Sequence, residues 1–358
     1  MRKSKQNLDS SGGSLNTLAL KRTINKIKDA EIIFGTGSCK SSVAKRPKRK
    51  FLTQKLALAL VDVAKEEGDL KWQQRYWNVW HCQEVMTSHD GRMYGYQCKN
   101  RCCTVCVSIR KADMINKYKP VIDNWTDIHF ITLTIKTKKK RELKKWMEAM
   151  KKALSLILDR CRKRYNRGKG PKLIGVASLE CNFNPVKKTY NPHYHILCAT
   201  KEIATVFKTE WLELWNRKYK KNPDWSNMLA TGKCQDIRKV NNTEKDIIET
   251  IKYGAKIMTD PTMKKGKNKK VKPVIYAAAL HEIYKSMDDI NLFTKFGFKL
   301  PMVAVTTNTG KLVTDFKRWK YNSKLRDWIE GETGQILTDY IPDWEIENIR
   351  DCSLNCVY

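Results

Sequence analysis

The sequence predicts an α+β fold: a sheet domain with helices packed on one face, joined to a small cysteine-rich module. Three observations carry this. Short runs of β-branched and aromatic residues alternate with longer helical patterns between Asp127 and Ile257. Their order is strand, helix, strand, strand, helix, strand, helix, which suits a sheet with helices packed on one face. Upstream, Cys98, Cys102, Cys103 and Cys106 fall within nine residues, with Cys82 close before them.

Residues 1–50 carry 13 Lys and Arg against three Asp and Glu, with a Ser/Gly-rich start and the closing run KRPKRK (Lys45 to Lys50). We read residues 1–70 as a basic, partly disordered arm that either binds phosphate or solubilises the chain. A short helix is expected at residues 53–68 within it. The aromatic group Trp72, Tyr76, Trp77 and Trp80 leads into a cysteine-rich module over residues 71–115. A sheet domain is expected over residues 116–260. Its first strand is IHFITLTI (Ile128 to Ile135). A basic helix follows, in which Trp146, Met150, Ala153, Ile157 and Cys161 recur on one face. LIGVASLE (Leu173 to Glu180) and HYHILCAT (His193 to Thr200) form the next two strands, joined as a long hairpin. A helix over Ile203 to Tyr219, a strand over CQDIRKV (Cys234 to Val240) and a helix over Thr243 to Ile257 complete the series. The last helix has a capping-box pattern in Thr243 and Asp246. Residues 261–358 read as a lysine-rich loop (Met263 to Pro273) and a helical extension, with helices near Val274–Ser286 and Asp315–Ile329.

With 70 Lys and Arg against 37 Asp and Glu, the 358-residue chain has a net charge of +33. Apolar residues make up 41% of it, enough for a core, so global disorder is excluded. The charge points to a polyanionic partner, most simply nucleic acid. A membrane surface is the competing partner, but no Trp-anchored basic amphipathic helix supports it. The longest apolar stretch, Leu56 to Ala64, is far short of the about 20 residues of a membrane span. The N-terminus has no apolar signal-peptide core, so the expected location is the cytoplasm.

In that compartment 12 cysteines do not make a disulfide framework. Cys82, Cys98, Cys103 and Cys106 supply four thiolates around one tight turn, the set a structural zinc ion prefers. Cys102 could take the place of Cys103, and His81 that of Cys82. Arg101, Arg110 and Lys111 flank the knuckle, so it is expected to face DNA as well. The scattered Cys39, Cys161, Cys181, Cys198, Cys234, Cys352 and Cys356 read as small buried hydrophobes.

His193 and His195 lie two apart on a strand, which puts both rings on one face. Two neutral imidazoles can hold a divalent ion and leave positions open for phosphate oxygens. Glu180, at the end of the paired strand, is the best candidate for a third ligand, or else a plain strand-end carboxylate. On the last helix Glu249 and Tyr253 stand at i and i+4, with Lys252 and Lys256 beside the phenol. This segment alone also fits an ordinary Glu–Lys surface helix.

Together these pieces resemble plasmid rolling-circle replication initiators, the Rep proteins of the HUH endonuclease superfamily. FITLTI (130–135), NPHYHIL (191–197) and ETIKYGAK (249–256) come in that family's order, and CKNRCCTVCVSIRKAD (98–113) resembles its Cys-rich segment in the single-tyrosine subgroup of small Gram-positive-type plasmids. The resemblance covers about residues 80–260. It implies a five-stranded antiparallel sheet with a ferredoxin-like palm that carries His193, His195 and a Mg or Mn ion. It implies Tyr253 as the nucleophile that joins the 5′ phosphate of a nicked origin strand, single-stranded or cruciform. Glu249 would direct the terminating hydrolysis, and Lys252 and Lys256 would stabilise charge at phosphorus or hold the strand. Asn191 stands where relatives often have another His, and Cys102 where an aromatic is usual. No Walker-type phosphate loop is present, so unwinding is expected to fall to a host helicase and the replication machinery. The expected function is a metal-dependent origin nickase and ligase. The alternatives are a transposase or mobilisation relaxase with the same chemistry, or a non-catalytic zinc-containing DNA-binding protein.

Overall fold

The β-branched run at residues 128–135 forms the interior of a sheet, and the elements around it set which of its faces are covered. The computed structural model describes residues 31–34, 39–42, 45–89, 92–217, 228–241, 243–250, 258–259, 274–301, 316–342, 347 and 350–351. The N-terminal part contains β1 (Glu31–Phe34), β2 (Cys39–Ser42), α1 (Arg46–Glu66), α2 (Leu70–Trp80), β3 (Val85–His89), β4 (Arg92–Gly95) and α3 (Thr104–Ile122). The middle contains β5 (His129–Thr134), α4 (Leu143–Asn166), β6 (Gly175–Asn184), β7 (Thr189–Cys198), α5 (Lys201–Asn216), β8 (Asp236–Lys239) and α6 (Thr243–Thr250). The remainder contains β9 (Met258–Thr259), β10 (Val274–Ile275), α7 (Ala277–Met287), β11 (Phe293–Phe296), β12 (Lys317–Asn322), β13 (Asp327–Glu330) and β14 (Arg350–Asp351).

The central sheet has five strands in the order β11-β6-β7-β5-β8, every pair antiparallel. β6 and β7 form a hairpin with ten registered pairs, from Gly175↔Cys198 to Asn184↔Thr189. Asn184 Oδ1 accepts from the N–H groups of Val186 and Lys187 and so pins the turn. Four of the five strands match the sequence reading; β11 was not foreseen there. Gly297 ends β11 with φ +80°, and a Cβ there would lie 1.9 Å from the Leu173 carbonyl oxygen, so only glycine fits.

Helices cover both sheet faces, not one. On the first face Ile131, Leu133, Ala177, Leu179 and Ile196 pack against Met150, Leu154 and Ile157 of α4, Phe207 and Trp211 of α5, and Ile283 and Met287 of α7. The Trp211 indole N–H donates to the Thr134 carbonyl at 3.0 Å. On the second face Phe130, Val176 and Leu197 meet Tyr118 and Ile122 of α3 and Ile247 of α6. Apolar residues occupy alternate positions only at one end of this face. The other end is polar, and no described helix closes it with apolar side chains.

The remaining strands build other structures. β3 and β4 pair with each other, and β12 and β13 join them in a six-stranded sheet ordered β13-β12-β3-β4-β1-β2. Met86, Met93, Trp319, Tyr321, Trp328 and Leu337 form its core. The helix expected at Asp315–Ile329 is therefore a hairpin, in which Trp319 and Tyr321 point inward at strand period. A small third sheet links β10 to β9 and β14.

α1 starts at Arg46, inside the run read as a flexible arm, and Leu56, Leu60 and Val63 on it are fully buried. α1, α2 and the cysteine turn share one core with α7. A polar chain crosses that core. Tyr76 Oη lies 2.7 Å from His281 Nδ1, and His281 Nε2 lies 3.2 Å from Glu67 Oε2. Lys140 and Lys285 reach Glu67, and Lys285 also reaches Asp69 at 2.9 Å. Burial raises the Tyr76 pKa, so the phenol keeps its proton and donates it to Nδ1. Nε2 then carries the ring proton toward Glu67. No helix among the described residues is long and apolar enough to cross a membrane.

Candidate metal centres and the polar sheet face

Strand register brings the polar residues together. Glu180 on β6 stands directly opposite His193 on β7, and Ser178 opposite His195. On the other side of β7, Thr134 and Thr132 of β5 face His193 and His195. Glu180 Oε2 lies 4.0 Å from His193 Nε2 and 3.9 Å from His195 Nε2. The two imidazole centroids are 4.7 Å apart. All three ligand atoms fall within 4.8 Å of one another. Two nitrogens and a carboxylate oxygen at this spacing are a donor set for a divalent ion.

The second contacts orient these rings. His193 Nδ1 donates to the Asn191 carbonyl at 2.9 Å, which leaves the Nε2 lone pair for a ligand. His195 Nδ1 lies 3.3 Å from Thr132 Oγ1. Burial pushes the His193 pKa below its ordinary value, while the Asn191 bond and the charge of Glu249 oppose that shift. A buried histidine that stays neutral is what coordination needs. Asn191 itself accepts from Thr134 Oγ1 at 2.9 Å and holds two strands in register.

The charge of Glu249 reaches this face because α6 packs on β6, β7 and α3. It acts on Arg238 as well as His193. Arg238 is held above its ordinary value first by its bond to Asp246, with Asp236 and Glu249 adding to the effect. Both guanidinium nitrogens of Arg238 bond Asp246, and the guanidinium carbon sits 4.4 Å over the Phe130 ring. Phe130 in turn is 5.1 Å from His195. Asp246 thus clamps Arg238. Arg238 escaped the sequence reading, although strand alternation from Asp236 would have put it on the histidine face. Tyr253, Lys252 and Lys256 lie outside the described residues, as does the lysine-rich loop Met263 to Pro273.

A second group gathers at the start of α3. The sulfurs of Cys82, Cys98, Cys103 and Cys106 also lie within 4.8 Å of one another. Cys106 Sγ is 3.4 Å from Cys82 Sγ and 3.7 Å from Cys98 Sγ. A tetrahedral ion with metal–sulfur bonds of about 2.3 Å has sulfurs about 3.8 Å apart. Cys103 is the N-cap of α3, and its sulfur accepts the Cys106 N–H at 3.4 Å, while burial pushes its own thiol pKa well up. Bonds from Cys103, Cys82 and Cys98 hold the Cys106 thiol far below its ordinary value. Cys102 is buried away from the group, with its sulfur 3.3 Å from Asn100 Oδ1. His81 is exposed and pairs with Glu84 at 2.6 Å.

The fully buried Lys50 of α1 donates to the Trp80 and Cys82 carbonyls at 2.5 and 2.7 Å, so it fastens α1 to the cluster. Arg101 donates to the Met287 and Ile290 carbonyls and so braces the cysteine turn against the end of α7. Arg110 donates to the Lys99 carbonyl at 3.0 Å. Of the scattered cysteines, Cys161, Cys181 and Cys198 are buried as expected and Cys234 is exposed.

Comparison with known proteins places these features in context. A family model described as Replication protein matches residues 93–287, more than half of the chain. A "Protein rep" from Streptococcus pneumoniae serotype 2 is 26% identical over 223 residues, covering 56% of this chain and 65% of that protein. A "Protein rep" from Bacillus amyloliquefaciens is 26% identical over 188 residues, 46% of this chain and 54% of its own. One from Staphylococcus aureus is 28% identical over 175 residues, 44% of this chain and 69% of its own. The chain thus spans less than two thirds of the length of the first two. No solved structure matches.

Proposed function

This chain belongs to the replication protein family, and on that premise we propose that it initiates rolling-circle replication by nicking one DNA strand at an origin and rejoining it at termination. The observation that carries the reading is the packing of α6, which bears Glu249, on β6 and β7, the two strands that carry Glu180, His193 and His195.

Glu180, His193 and His195 would hold a divalent Mg or Mn ion, as their converging donor atoms fit one. Such an ion, when bound, polarises a phosphodiester and offsets charge at phosphorus. Tyr253, four residues beyond Glu249, supplies the nucleophile. Its oxygen forms a bond to phosphorus as the 3′ oxygen of the preceding nucleotide leaves, and that released 3′ hydroxyl primes synthesis. Glu249 takes a proton from water when the strand is finally released. Arg238, fixed by Asp246, lends a positive charge near the phosphate, and Lys252 and Lys256 serve the same end. Cys82, Cys98, Cys103 and Cys106 hold a structural zinc ion. A host helicase opens the duplex.

The test is a denaturing gel for a protein–DNA adduct, with Mn and single-stranded DNA from the element that encodes the protein. Wild type should give a shifted band and Tyr253→Phe none, although the variant still binds DNA. Glu249→Ala should form the adduct but fail to release it. Normal cleavage by Tyr253→Phe would remove the assigned nucleophile. Tight, salt-sensitive binding without cleavage by wild type would favour a non-catalytic DNA-binding protein.

A further inference from the structure

The sheet of β3, β4, β12 and β13 buries one face around Met86, Met93, Trp319 and Trp328. On the opposite face Val85, Tyr94, Arg318 and Lys320 are exposed, while Thr338 and Tyr340 bond over Asp327 at the β13 edge. Two cross-strand rows occupy it. Arg318 stands opposite Thr87, which stands opposite Tyr94. Lys320 stands opposite Val85, and Tyr96 follows Tyr94 at strand period. Cations therefore line β12 and aromatic rings line the β4 side, about 10 Å away at the usual strand spacing. The short Thr87 and Val85 leave the floor between them low.

These side chains are open to solvent. Tyr94 is 40% and Tyr96 63% exposed, Phe316 just before β12 is 51% exposed, and Arg318 and Lys320 are exposed. Lysines often guard the edge strand of a sheet, but β12 lies between β13 and β3, so edge protection does not explain Arg318 and Lys320. The one acid at a facing register, Asp327, is buried and accepts from the N–H groups of Trp328, Thr338 and Tyr340.

We propose that this face is a stacking platform for single-stranded DNA, a second nucleic-acid contact apart from the Glu180–His193–His195 site. The proposal rests on the reading that the chain acts on a DNA strand and adds where the strand is held. Tyr94 and Tyr96 stack on bases, while Arg318 and Lys320 pair with phosphates along the neighbouring strand. Stacking of this kind tolerates any base sequence, since every base has a ring face.

The test uses the full metal-loaded chain, a fluorescein-labelled oligodeoxythymidylate and anisotropy across a salt series. The pair Tyr94→Ser with Tyr96→Ser should weaken binding about 10-fold or more. The pair Tyr94→Phe with Tyr96→Phe should bind as wild type does. The pair Arg318→Gln with Lys320→Gln should lower the slope of log affinity against log salt by about 1.4, roughly 0.7 for each phosphate contact with a single strand. The adduct formed at saturating origin strand should not change in any of them. If the serine pair binds as wild type does, or if the phenylalanine pair binds as poorly as the serine pair, the platform is overturned. Equal losses on blunt duplex would overturn it too. Should wild type form no adduct while the serine pair still loses the oligonucleotide, the nicking reading falls and the platform stands.

Discussion

His281 is fully buried between a phenol that donates to it and a carboxylate that accepts from it. Burial lowers its pKa, while the charge of Glu67 partly restores it. The unfolded chain takes up this proton near pH 6.5, and the folded chain does so only lower down. The stability that His281 contributes as a neutral ring is thus complete above about pH 6.5 and declines as the pH falls toward the folded value, by about 1.4 kcal/mol for each unit between the two. His193 is shifted the same way. Urea unfolding of the apo chain from pH 7.5 to 5 should show this loss, with a shallower slope in His281→Gln. An unchanged slope would mean that His281 is not the titrating group. At this scale much of the site was legible: the two-residue spacing of His193 and His195 gave their common face, and the paired strand gave Glu180. Arg238 was missed: strand alternation puts it on the histidine face, but only its partners Asp246 and Phe130 set it apart from the other cations of a basic chain. Arg46 and Lys50 were read, for the same reason, as part of an arm that either binds phosphate or solubilises the chain. Arg46 in fact reaches Met86 Sδ at 3.1 Å, and Lys50 lies under the cysteine turn.

Single elements depend on local fits of this kind. β11 is four residues long and closes the edge of the central sheet beside β6. Its end turns sharply at Gly297 against the Leu173 carbonyl. Gly297→Ala should destabilise the fold by more than about 3 kcal/mol, because a left-handed backbone and a backbone clash coincide. Gly170→Ala, at φ +86° with open space around it, should cost only about 1–2 kcal/mol. Chemical denaturation of the two variants measures the difference, and equal costs would rule out the clash. Long, strongly patterned elements were legible, as in α4 with Met150, Ala153, Ile157 and Cys161 on its buried face. The short FTKF strand was not, since four residues offer too few periods to separate from a loop. The β12–β13 hairpin was misread as a helix because the aromatic residues that reveal its strand period, Trp319, Tyr321 and Trp328, find their core only with Met86 and Met93, far away in the chain.

Across the whole molecule, α3 runs from one candidate metal centre to the other sheet. Cys103 caps its first turn, and Tyr118 and Ile122 near its end pack beside Phe130. The cysteine group therefore anchors the helix that packs on the apolar end of the face bearing His193 and His195. Mass spectrometry under native conditions should find one zinc per chain in wild type and in Cys102→Ser, and none in Cys103→Ser, whose melting temperature should fall sharply. Loss of zinc from Cys102→Ser would shift the ligand set. The second sheet has a further consequence. Its strands β3 and β4 come early in the chain, but their partners β12 and β13 follow only after the entire five-stranded sheet. On the ribosome, the strands of the central sheet through β11 have all emerged while β3 is still waiting for β12, before Met86 and Met93 meet the Trp319, Tyr321 and Trp328 side chains of their core. Translation order thus separates the two sheets in time: the one that bears His193 and His195 can form first, and later synthesis supplies the strand that carries Arg318 and Lys320.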